Sequence, residues 1–217
     1  MRAAGIPARQ CYTPRWAHCD DNHAWVEVWV DNKWYFLGAC EPEADLNIGW
    51  FAGPALRAML VNTNVFGKYD GPEEIILKEE LYTRINLLAN YAPTKTIYVQ
   101  TISGKDSKPL ANAKVDFGLY NYAEFYSIAS KMSNDDGIAS LLTGFGDLMI
   151  WCSFDNKFAY KKITIEETDT VLIILEETPV LSKVEQFDLT PPIKKVPKSV
   201  STKGKEENAR KLKEEDK

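Results

Sequence analysis

The sequence predicts an α+β chain that consists mostly of β-structure and ends in an antiparallel β-sandwich. Apolar and polar residues alternate strictly along residues 23–30, which is the period of a strand with one buried face. Between residues 96 and 177, short apolar runs alternate with turn clusters, and no helical pattern separates them. These patterns divide the chain into a mixed first region at residues 1–92, a sandwich at residues 95–177 and a charged tail at residues 178–217.

The composition is that of an ordinary globular protein, and it argues against two classes of partner. Of the 217 residues, 45% are hydrophobic and 26% are charged, and the formal net charge is -5. A mild negative charge has the wrong sign for a protein that binds nucleic acid. No apolar run approaches the roughly 18 residues that a membrane-spanning helix needs. We therefore predict neither nucleic acid as a partner nor a membrane span.

The cysteines give no sign of a metal site or of a disulfide framework. The four of them, Cys11, Cys19, Cys40 and Cys152, are scattered along the chain without a C-x-x-C pair. Paired spacing is what a structural zinc site requires, and a disulfide scaffold needs a denser set. We predict no metal and no cofactor, and the redox compartment stays open.

The first residues have the pattern of an element that is ending. The segment R-A-A-G-I-P-A-R at residues 2–9 indicates the end of a helix, a capping glycine at Gly5 and a proline-marked entry into a strand. A helix that stops so soon after the chain begins has no body of its own. We therefore expect the chain to begin inside a domain.

The best-defined element of the first region is a β-hairpin. Residues 23–30 place His23, Trp25, Glu27 and Trp29 on one face, with alanine and valines on the other. Asp31-Asn32 supplies a tight turn, and residues 33–37 return as the partner strand. Weaker patterns predict three more strands and one helix: strands at residues 10–12, 57–65 and 82–89, and a helix at 72–81.

Regular spacing of turns predicts about seven strands in the second region. The segment P-L-A-N-A-K-V at residues 109–115, followed by D-D-G-I-A at residues 135–139, resembles the prealbumin-like, carboxypeptidase-regulatory type of sandwich. The resemblance concerns the fold and is nearly silent on function. An aromatic run here is expected in the core and at a sheet edge, with a glycan or peptide surface as the alternative: Tyr120, Tyr122, Phe125 and Tyr126.

The tail has too few apolar side chains to fold by itself. After residue 178 it contains Pro191-Pro192 and Pro197 and then mixed lysine and glutamate. Such a segment cannot bury enough surface to offset the entropy of ordering its chain. We expect a disordered tail or linker at residues 178–217.

His23 is the residue most suited to catalysis. The chain has two histidines, and the other, His18, lies in a polar loop where we expect it at the surface. A cysteine hydrolase needs an imidazole on a rigid strand, a thiol aimed at it, and a third group that orients the imidazole. A hairpin can supply the third group from its return strand. Beyond that strand, Glu41 and Glu43 are the nearby carboxylates.

Two segments together resemble the transglutaminase-like superfamily over roughly residues 2–90. They are R-A-A-G-I-P-A-R at residues 2–9 and H-A-W-V-E-V-W-V at residues 23–30, followed by Trp34. The sequence from Cys40 through Gly49-Trp50 also looks like the peptide:N-glycanase branch. This resemblance implies a papain-like α+β core and a Cys-His-Asp triad that acts on amide bonds of proteins or peptides. It assigns the histidine of the triad to His23.

The sequence departs from the family pattern at the other two triad positions. The family nucleophile lies on a helix upstream of the G-I-P-A-R segment, and no cysteine of this chain corresponds to it. The usual aspartate falls near Gly38 by direct counting, or at Glu41 if the D-P dipeptide of the family is matched to Glu41-Pro42. We favour Glu41, with Cys40 or a backbone group as alternatives. Three residues are expected to line the site: Trp16, Trp25 and Cys40.

Two functions follow from these observations. The first is a fragment of a transglutaminase-like cysteine hydrolase, a peptidase or amidase with a protein or peptide substrate. It keeps the histidine, lacks the nucleophile and the N-terminal half of the core, and is expected to be inactive alone. The alternative is a non-catalytic transglutaminase-like binding module at a bacterial cell surface. The localisation is undetermined, although the resemblance to exported bacterial proteins favours a periplasmic or extracellular parent.

Overall fold

A six-stranded antiparallel sheet forms around the predicted hairpin. The structure is a computed structural model that describes residues 1–40, 42–176, 184–199 and 201–215, the last five by their backbone alone. The strand order in the sheet is β3-β2-β1-β4-β6-β5. The six strands are β1 Ala8–Thr13, β2 His23–Val30, β3 Lys33–Leu37, β4 Asn62–Phe66, β5 Ile75–Lys78 and β6 Tyr82–Asn86.

The hairpin prediction is confirmed residue by residue. Strands β2 and β3 have the predicted bounds, and Asp31 and Asn32 turn the chain with φ angles of 47° and 60°. Both residues tolerate this left-handed backbone, which two-residue hairpin turns require. Glu27 lies opposite Phe36 in the register. Gly5 also caps a 3₁₀ turn at Arg2–Ala4 with a φ of 76°, as predicted.

Two other predictions for the first region are wrong. The predicted helix at residues 72–81 is instead strand β5, which pairs with β6 and buries Ile76 to 6% exposure. The predicted strand at residues 57–65 forms only from Asn62 onward, as β4. A short helix α1, Ala52–Ala55, precedes it, and residues 58–61 are buried without strand pairing. Their apolar pattern reflects burial between two sheets.

The second region is a sandwich of seven strands, as expected. A three-stranded sheet of order β10-β7-β13 packs on a four-stranded sheet of order β12-β11-β8-β9. The strands are β7 Lys95–Ser103, β8 Lys114–Asn121, β9 Glu124–Met132, β10 Ile138–Thr143, β11 Asp147–Phe154, β12 Lys157–Thr164 and β13 Thr170–Leu175.

The sandwich departs from the expected all-antiparallel pairing at one place. Strand β13 lies parallel to β7, with Val171 opposite Val99. Both valines are buried, at 2% and 0% exposure, so the pairing continues the core to this edge. The chain reaches it by crossing from the four-stranded sheet to the other. An alternating pattern shows which residues face inward but not the direction of the neighbouring strand.

The two regions share a buried boundary. Met59 belongs to the sandwich core, while its neighbour Ala58 belongs to the core of the first sheet. The hydroxyl of Thr143 donates to the carbonyl of Met59 at 2.8 Å. The side-chain amide of Asn86 donates to the carbonyl of Leu142 at 2.7 Å. Residues 58–61 therefore join the two cores.

The C-terminal segment crosses from the sandwich to the first sheet. The amide of Thr190 donates to the carboxylate of Asp147 at 2.8 Å, and the amide of Asp147 donates to the carbonyl of Thr190 at 2.9 Å. Farther along, the carboxylate of Asp45 accepts hydrogen bonds from both the amide and the hydroxyl of Ser201, at 2.9 and 2.6 Å. The segment is thus fixed at both ends.

Part of the predicted disordered tail has helical backbone. Helix α2 spans Thr202–Glu215, and Ser201 caps it by accepting a hydrogen bond from the amide of Gly204. Asn208 on this helix accepts from the amide of Ala44 at 3.1 Å. No helix in the described ranges is long and apolar enough to cross a membrane.

Candidate active site

His23 stands at the first position of β2, against three aromatic rings. Its ring centroid lies 4.5 Å from that of Trp50, 4.8 Å from Phe51 and 5.8 Å from Trp25. Trp25 is fully buried, whereas Trp50 is 59% exposed. His23 is therefore half-buried, with core rings on one side and an exposed tryptophan at the rim. We call these residues, together with Tyr91, the His23 cluster.

Gly49 allows the chain to bring Phe51 into this cluster. A Cβ atom at Gly49 would lie 2.7 Å from the ring of Phe51, closer than side-chain carbons approach one another. The glycine therefore leaves room for Phe51 to fold back over the chain. Phe51 is 1% exposed and also packs on Trp25, with 5.1 Å between ring centroids. The loop before α1 thus covers one side of the imidazole.

A buried polar network continues from the cluster along the same face of β2. The indole N–H of Trp25 donates to the hydroxyl of Tyr91 at 2.8 Å, and that hydroxyl donates to Glu27 at 2.5 Å. The other carboxylate oxygen of Glu27 accepts from Nε of Arg9 at 2.6 Å. The guanidinium of Arg9 also lies 3.9 Å from the ring centroid of Trp34. The network makes the strand behind His23 rigid.

Burial sets the protonation of this network. It raises the pKa of Tyr91 well above its usual value, and the nearby Cys11 and Glu27 raise it further. Tyr91 therefore stays a neutral hydrogen-bond donor. Burial also raises the pKa of the Cys11 thiol, and the charge of Glu27 adds to this. The hydroxyl of Tyr91 lies 3.7 Å from the sulfur of Cys11.

Three of the four cysteines lie in environments that raise the pKa of the thiol, the opposite of what activates a nucleophile. A nucleophilic cysteine needs a lowered pKa, from a helix N-terminus or a nearby cation. Burial raises the pKa of Cys152 to about 12, inside the sandwich, and it also raises the pKa of Cys19. Cys40 is exposed in the loop after β3.

Of the other predicted site residues, Trp25 lies within the His23 cluster and Trp16 lies in the surrounding core. Trp25 contacts His23 directly, as a fully buried ring. Trp16 is 1% exposed and belongs to the same hydrophobic core, where its ring lies 5.8 Å from that of His18. Glu41, the predicted orienting group, lies outside the described residues, so its role stays a prediction.

His18 is less exposed than its polar loop suggests. It is half-buried, and burial lowers its pKa, with the charge of Arg57 as the second cause. A neutral imidazole is the form that could bind a metal ion. Among the described residues, however, no group of three or more histidine, cysteine, aspartate or glutamate side chains could hold one.

Sequence reasoning missed two important members of the site. Tyr91 lies near the end of the first region, and it joins Glu27 across 64 positions of the chain. Phe51 directly follows the Gly49-Trp50 pair that the resemblance includes. A clue was present for Phe51, because a glycine has no Cβ atom and lets a nearby group approach its backbone closely. Nothing local in the sequence pointed to Tyr91.

The segment that contains His23 matches a known protein family. A family model described as the transglutaminase-like superfamily matches residues 1–39. The matched part contains both segments of the resemblance and the whole hairpin. It covers less than a fifth of the chain, so residues 1–39 are similar to this superfamily. No curated protein matches the chain significantly.

Solved structures show only a distant likeness. The Bacillus anthracis TIE protein has 11% identity and a TM-score of 0.31, over 79% of this chain and 30% of that protein. The streptococcal ancillary pilin has 6% identity and a TM-score of 0.29, over 80% of this chain and 62% of the pilin. This chain therefore spans less than two thirds of the length of either protein.

Proposed function

We propose that the first region is part of a transglutaminase-like cysteine hydrolase in which His23 is the general base and then the general acid. One observation carries the proposal. The matched segment places His23 at the head of a rigid strand, half-buried among three aromatic rings. A half-buried imidazole is sheltered from water yet reachable from one side, as a proton-transfer group requires.

The chemistry begins with proton transfer from a thiol to the imidazole of His23. The thiolate attacks the carbonyl carbon of a protein or peptide amide, and a tetrahedral intermediate forms. His23 returns its proton to the leaving nitrogen, the C–N bond breaks, and an acyl-thioester remains. Water, deprotonated by His23, then hydrolyses the thioester and restores the thiol. Protons and electron pairs balance without any cofactor.

The polar network behind His23 supports this role by fixing the backbone. Trp25 packs on the imidazole and is itself held through Tyr91 to Glu27. Glu27 is 2% exposed and paired with Arg9, so this carboxylate is engaged in the strand framework. The group that orients the imidazole is therefore a different one, and we propose Glu41.

The nucleophile comes from outside these 217 residues in this proposal. Cys11 and Cys152 are fully buried with raised pKa values, and Cys19 has a raised pKa as well. Cys40 follows a strand and is not at the N-terminus of a helix. None of the four thiols therefore has the environment of a thiolate nucleophile.

The test compares the chain with a longer product read in frame from the gene, by mass-spectrometric mapping of iodoacetamide labelling. The chain alone is expected to show no rapidly labelled cysteine and no turnover of a generic peptide. In the longer product, one added cysteine is expected to label rapidly. The variant His23→Ala should slow that labelling by about 100-fold, in line with loss of a general base. The matched control His18→Ala should leave it unchanged.

Three outcomes would contradict the proposal. A cysteine among these 217 residues that labels rapidly only when His23 is present would overturn the external nucleophile. A longer product whose cysteines all react at ordinary rates would favour the non-catalytic binding module. Equal effects of the His23 and His18 variants would remove the catalytic role of His23.

A further inference from the structure

The outer face of the four-stranded sheet carries aromatic and polar groups in an ordered arrangement. Its inward residues Val115, Phe117, Ile150 and Cys152 are all fully buried in the sandwich core. The residues between them point outward, because successive side chains alternate across a strand. On this outer face, Trp151 is 40% exposed near the middle of strand β11. An exposed tryptophan in the middle of a sheet has no role in the core.

Four outward residues form a row straight across the sheet. The register places Tyr160 opposite Trp151, Trp151 opposite Asp116, and Asp116 opposite Ser130. Two strands of the row therefore present aromatic rings and the other two present a carboxylate and a hydroxyl. The rings of Tyr160 and Phe158 both stack on Trp151, nearly parallel at 10° and 8° and with 5.3 and 5.1 Å between ring centroids, so the three rings form one aromatic stack.

The polar half of the row is held in place by its own hydrogen bonds. The carboxylate of Asp116 accepts from Nζ of Lys114 at 2.8 Å and from the hydroxyl of Ser127 at 3.2 Å. It also accepts from the hydroxyl of Ser130. Asp116 is 17% exposed and Lys114 is 51% exposed, so these groups remain reachable from solvent. A ligand would meet a preorganised set of donors and acceptors.

A groove runs beside Trp151 because small residues occupy the neighbouring positions. Gly118 lies between Met149 and Ser127 in the next row, so this row has no large side chain at its centre. A Cβ atom at Gly118 would lie only 3.0 Å from the carbonyl oxygen of Met149. The resulting hollow has a volume of about 740 Å³, and Phe125 and Phe187 form its far wall.

The groove continues past the tryptophan. A second hollow of about 830 Å³ shares Lys114 and Trp151 with the first. It is lined by side-chain amides and hydroxyls, including those of Asn112, Ser153 and Asn156. The two hollows place Trp151 at the middle of an elongated surface. We call this surface the Trp151 groove.

At the centre of the groove, strands β8 and β11 offer a ligand side-chain groups only. Strands β8 and β11 are interior strands, so their backbone groups are paired with neighbours on both sides. An added peptide strand would need an unpaired edge. Charges along the described lining are nearly balanced, with two lysines against two aspartates and one glutamate. This balance disfavours strongly anionic or cationic polymers.

We propose that the Trp151 groove binds a neutral oligosaccharide. A sugar ring has an apolar C–H face that can lie against the solvent-exposed part of the aromatic stack, where Trp151 is 40% and Phe158 39% exposed. Its hydroxyls can both donate and accept, which matches the carboxylate, hydroxyl and amide groups on the other side of the groove. A purely apolar ligand would instead desolvate Asp116 and its serine partners without replacing their water. The elongated shape fits several linked sugar units.

The experiment uses the full chain and isothermal titration with neutral hexasaccharides of glucose, mannose, galactose and N-acetylglucosamine. A heparin-type sulfated hexasaccharide is the charged comparison. At least one neutral glycan is expected to bind, and the variant Trp151→Ala should weaken its affinity about tenfold or more. Asp116→Asn should weaken it about fivefold to tenfold, because one ionised acceptor is lost. Tyr98→Ala, an exposed aromatic residue of the other sheet, is the matched control and should change nothing.

A second variant separates binding from folding. Ser127→Phe keeps Trp151 and Asp116 but fills the hollow above Gly118, and it should also abolish binding while thermal unfolding stays cooperative. Any of three results overturns the proposal: no neutral glycan binds, binding survives both Trp151→Ala and Ser127→Phe, or only the sulfated glycan binds. None of these results depends on the hydrolase activity of the first region.

Discussion

The His23 cluster and the Trp151 groove are both groups of aromatic rings, but they are built in opposite ways. In the first, Trp25 is fully buried and its N–H begins a hydrogen-bond chain through Tyr91 to Glu27. In the second, Trp151 is 40% exposed, and the rings parallel to it come from the neighbouring strand. Trp25 therefore supports the fold, whereas the exposed part of Trp151 is available to a ligand.

The largest expected effect compares the two tryptophans directly. Trp25→Ala removes a fully buried ring and leaves a cavity, so it should lower the free energy of unfolding by about 3–5 kcal/mol. Trp151→Ala removes a ring from the solvent side of a sheet and should cost less than about 1 kcal/mol. Urea unfolding followed by circular dichroism measures both. If both variants lose the same free energy of unfolding, Trp151 belongs to the core.

The next prediction compares the two carboxylates. Glu27→Ala removes the closest carboxylate from the Arg9 guanidinium, in a site where the two side chains are 11% and 3% exposed, and leaves Arg9 only the more distant Glu73 at 3.9 Å. Losing the close partner of a buried charge costs about 3 kcal/mol. Asp116→Ala breaks a pair whose lysine is 51% exposed, and it should cost about 1 kcal/mol or less. Urea unfolding measures both losses. If Glu27→Ala lowers the free energy of unfolding as little as Asp116→Ala does, the buried network does not stabilise the fold.

The sequence predicted the elements that depend on local patterns, and it missed the contacts between residues that lie far apart in the chain. The hairpin of β2 and β3 was predicted with its bounds because strand alternation and turn residues are local signals. Residues 58–61 looked like a strand because they are apolar. Their burial, however, comes partly from the sandwich, through contacts such as that between Met59 and Thr143. No local pattern encodes a partner 84 positions away.

The same limit applies to the candidate site. His23 was found because a motif surrounds it, and the family model covers that motif. The bond between Tyr91 and Glu27 joins elements far apart in sequence, so the sequence could not indicate it. The Trp151 groove depends on cross-strand register, which places Tyr160, Trp151, Asp116 and Ser130 in one row. Alternation predicts which residues face outward, but register decides which of them become neighbours.

A smaller effect is expected at the hydroxyl that links Trp25 to Glu27. Tyr91→Phe keeps the ring and removes this hydroxyl, so the indole N–H and one carboxylate oxygen lose their partner. Leaving buried polar groups unpaired should lower the free energy of unfolding by about 1–2 kcal/mol. Tyr98→Phe, at an exposed position, is the matched control and should be neutral. A neutral Tyr91→Phe would mean that the hydroxyl does not stabilise the cluster.

The smallest expected effect is a pH dependence of the free energy of unfolding, caused by the Cys152 thiol on the inner face of the four-stranded sheet. Burial raises the pKa of Cys152 from 9.0 to about 12, and the charge of Asp116 is the second cause. The native state therefore holds this proton more tightly than the unfolded chain does. Its contribution to stability is complete below about pH 9 and is lost progressively as the pH rises toward 12. Between pH 8 and pH 10 the loss should be about 1.4 kcal/mol.

Urea unfolding of the wild type and of Cys152→Ala across this pH range measures that loss. Between pH 6 and pH 8 the two proteins should differ by a constant amount, set by the cavity that alanine leaves. Above pH 8 the wild type should lose stability faster, because only it has a buried thiol at this position that must stay protonated. The gap between the two proteins should therefore narrow by about 1.4 kcal/mol by pH 10. A constant gap would mean that the interior of the sandwich admits water or the thiolate, and the sheet that supports the Trp151 groove would be less rigid than the His23 cluster.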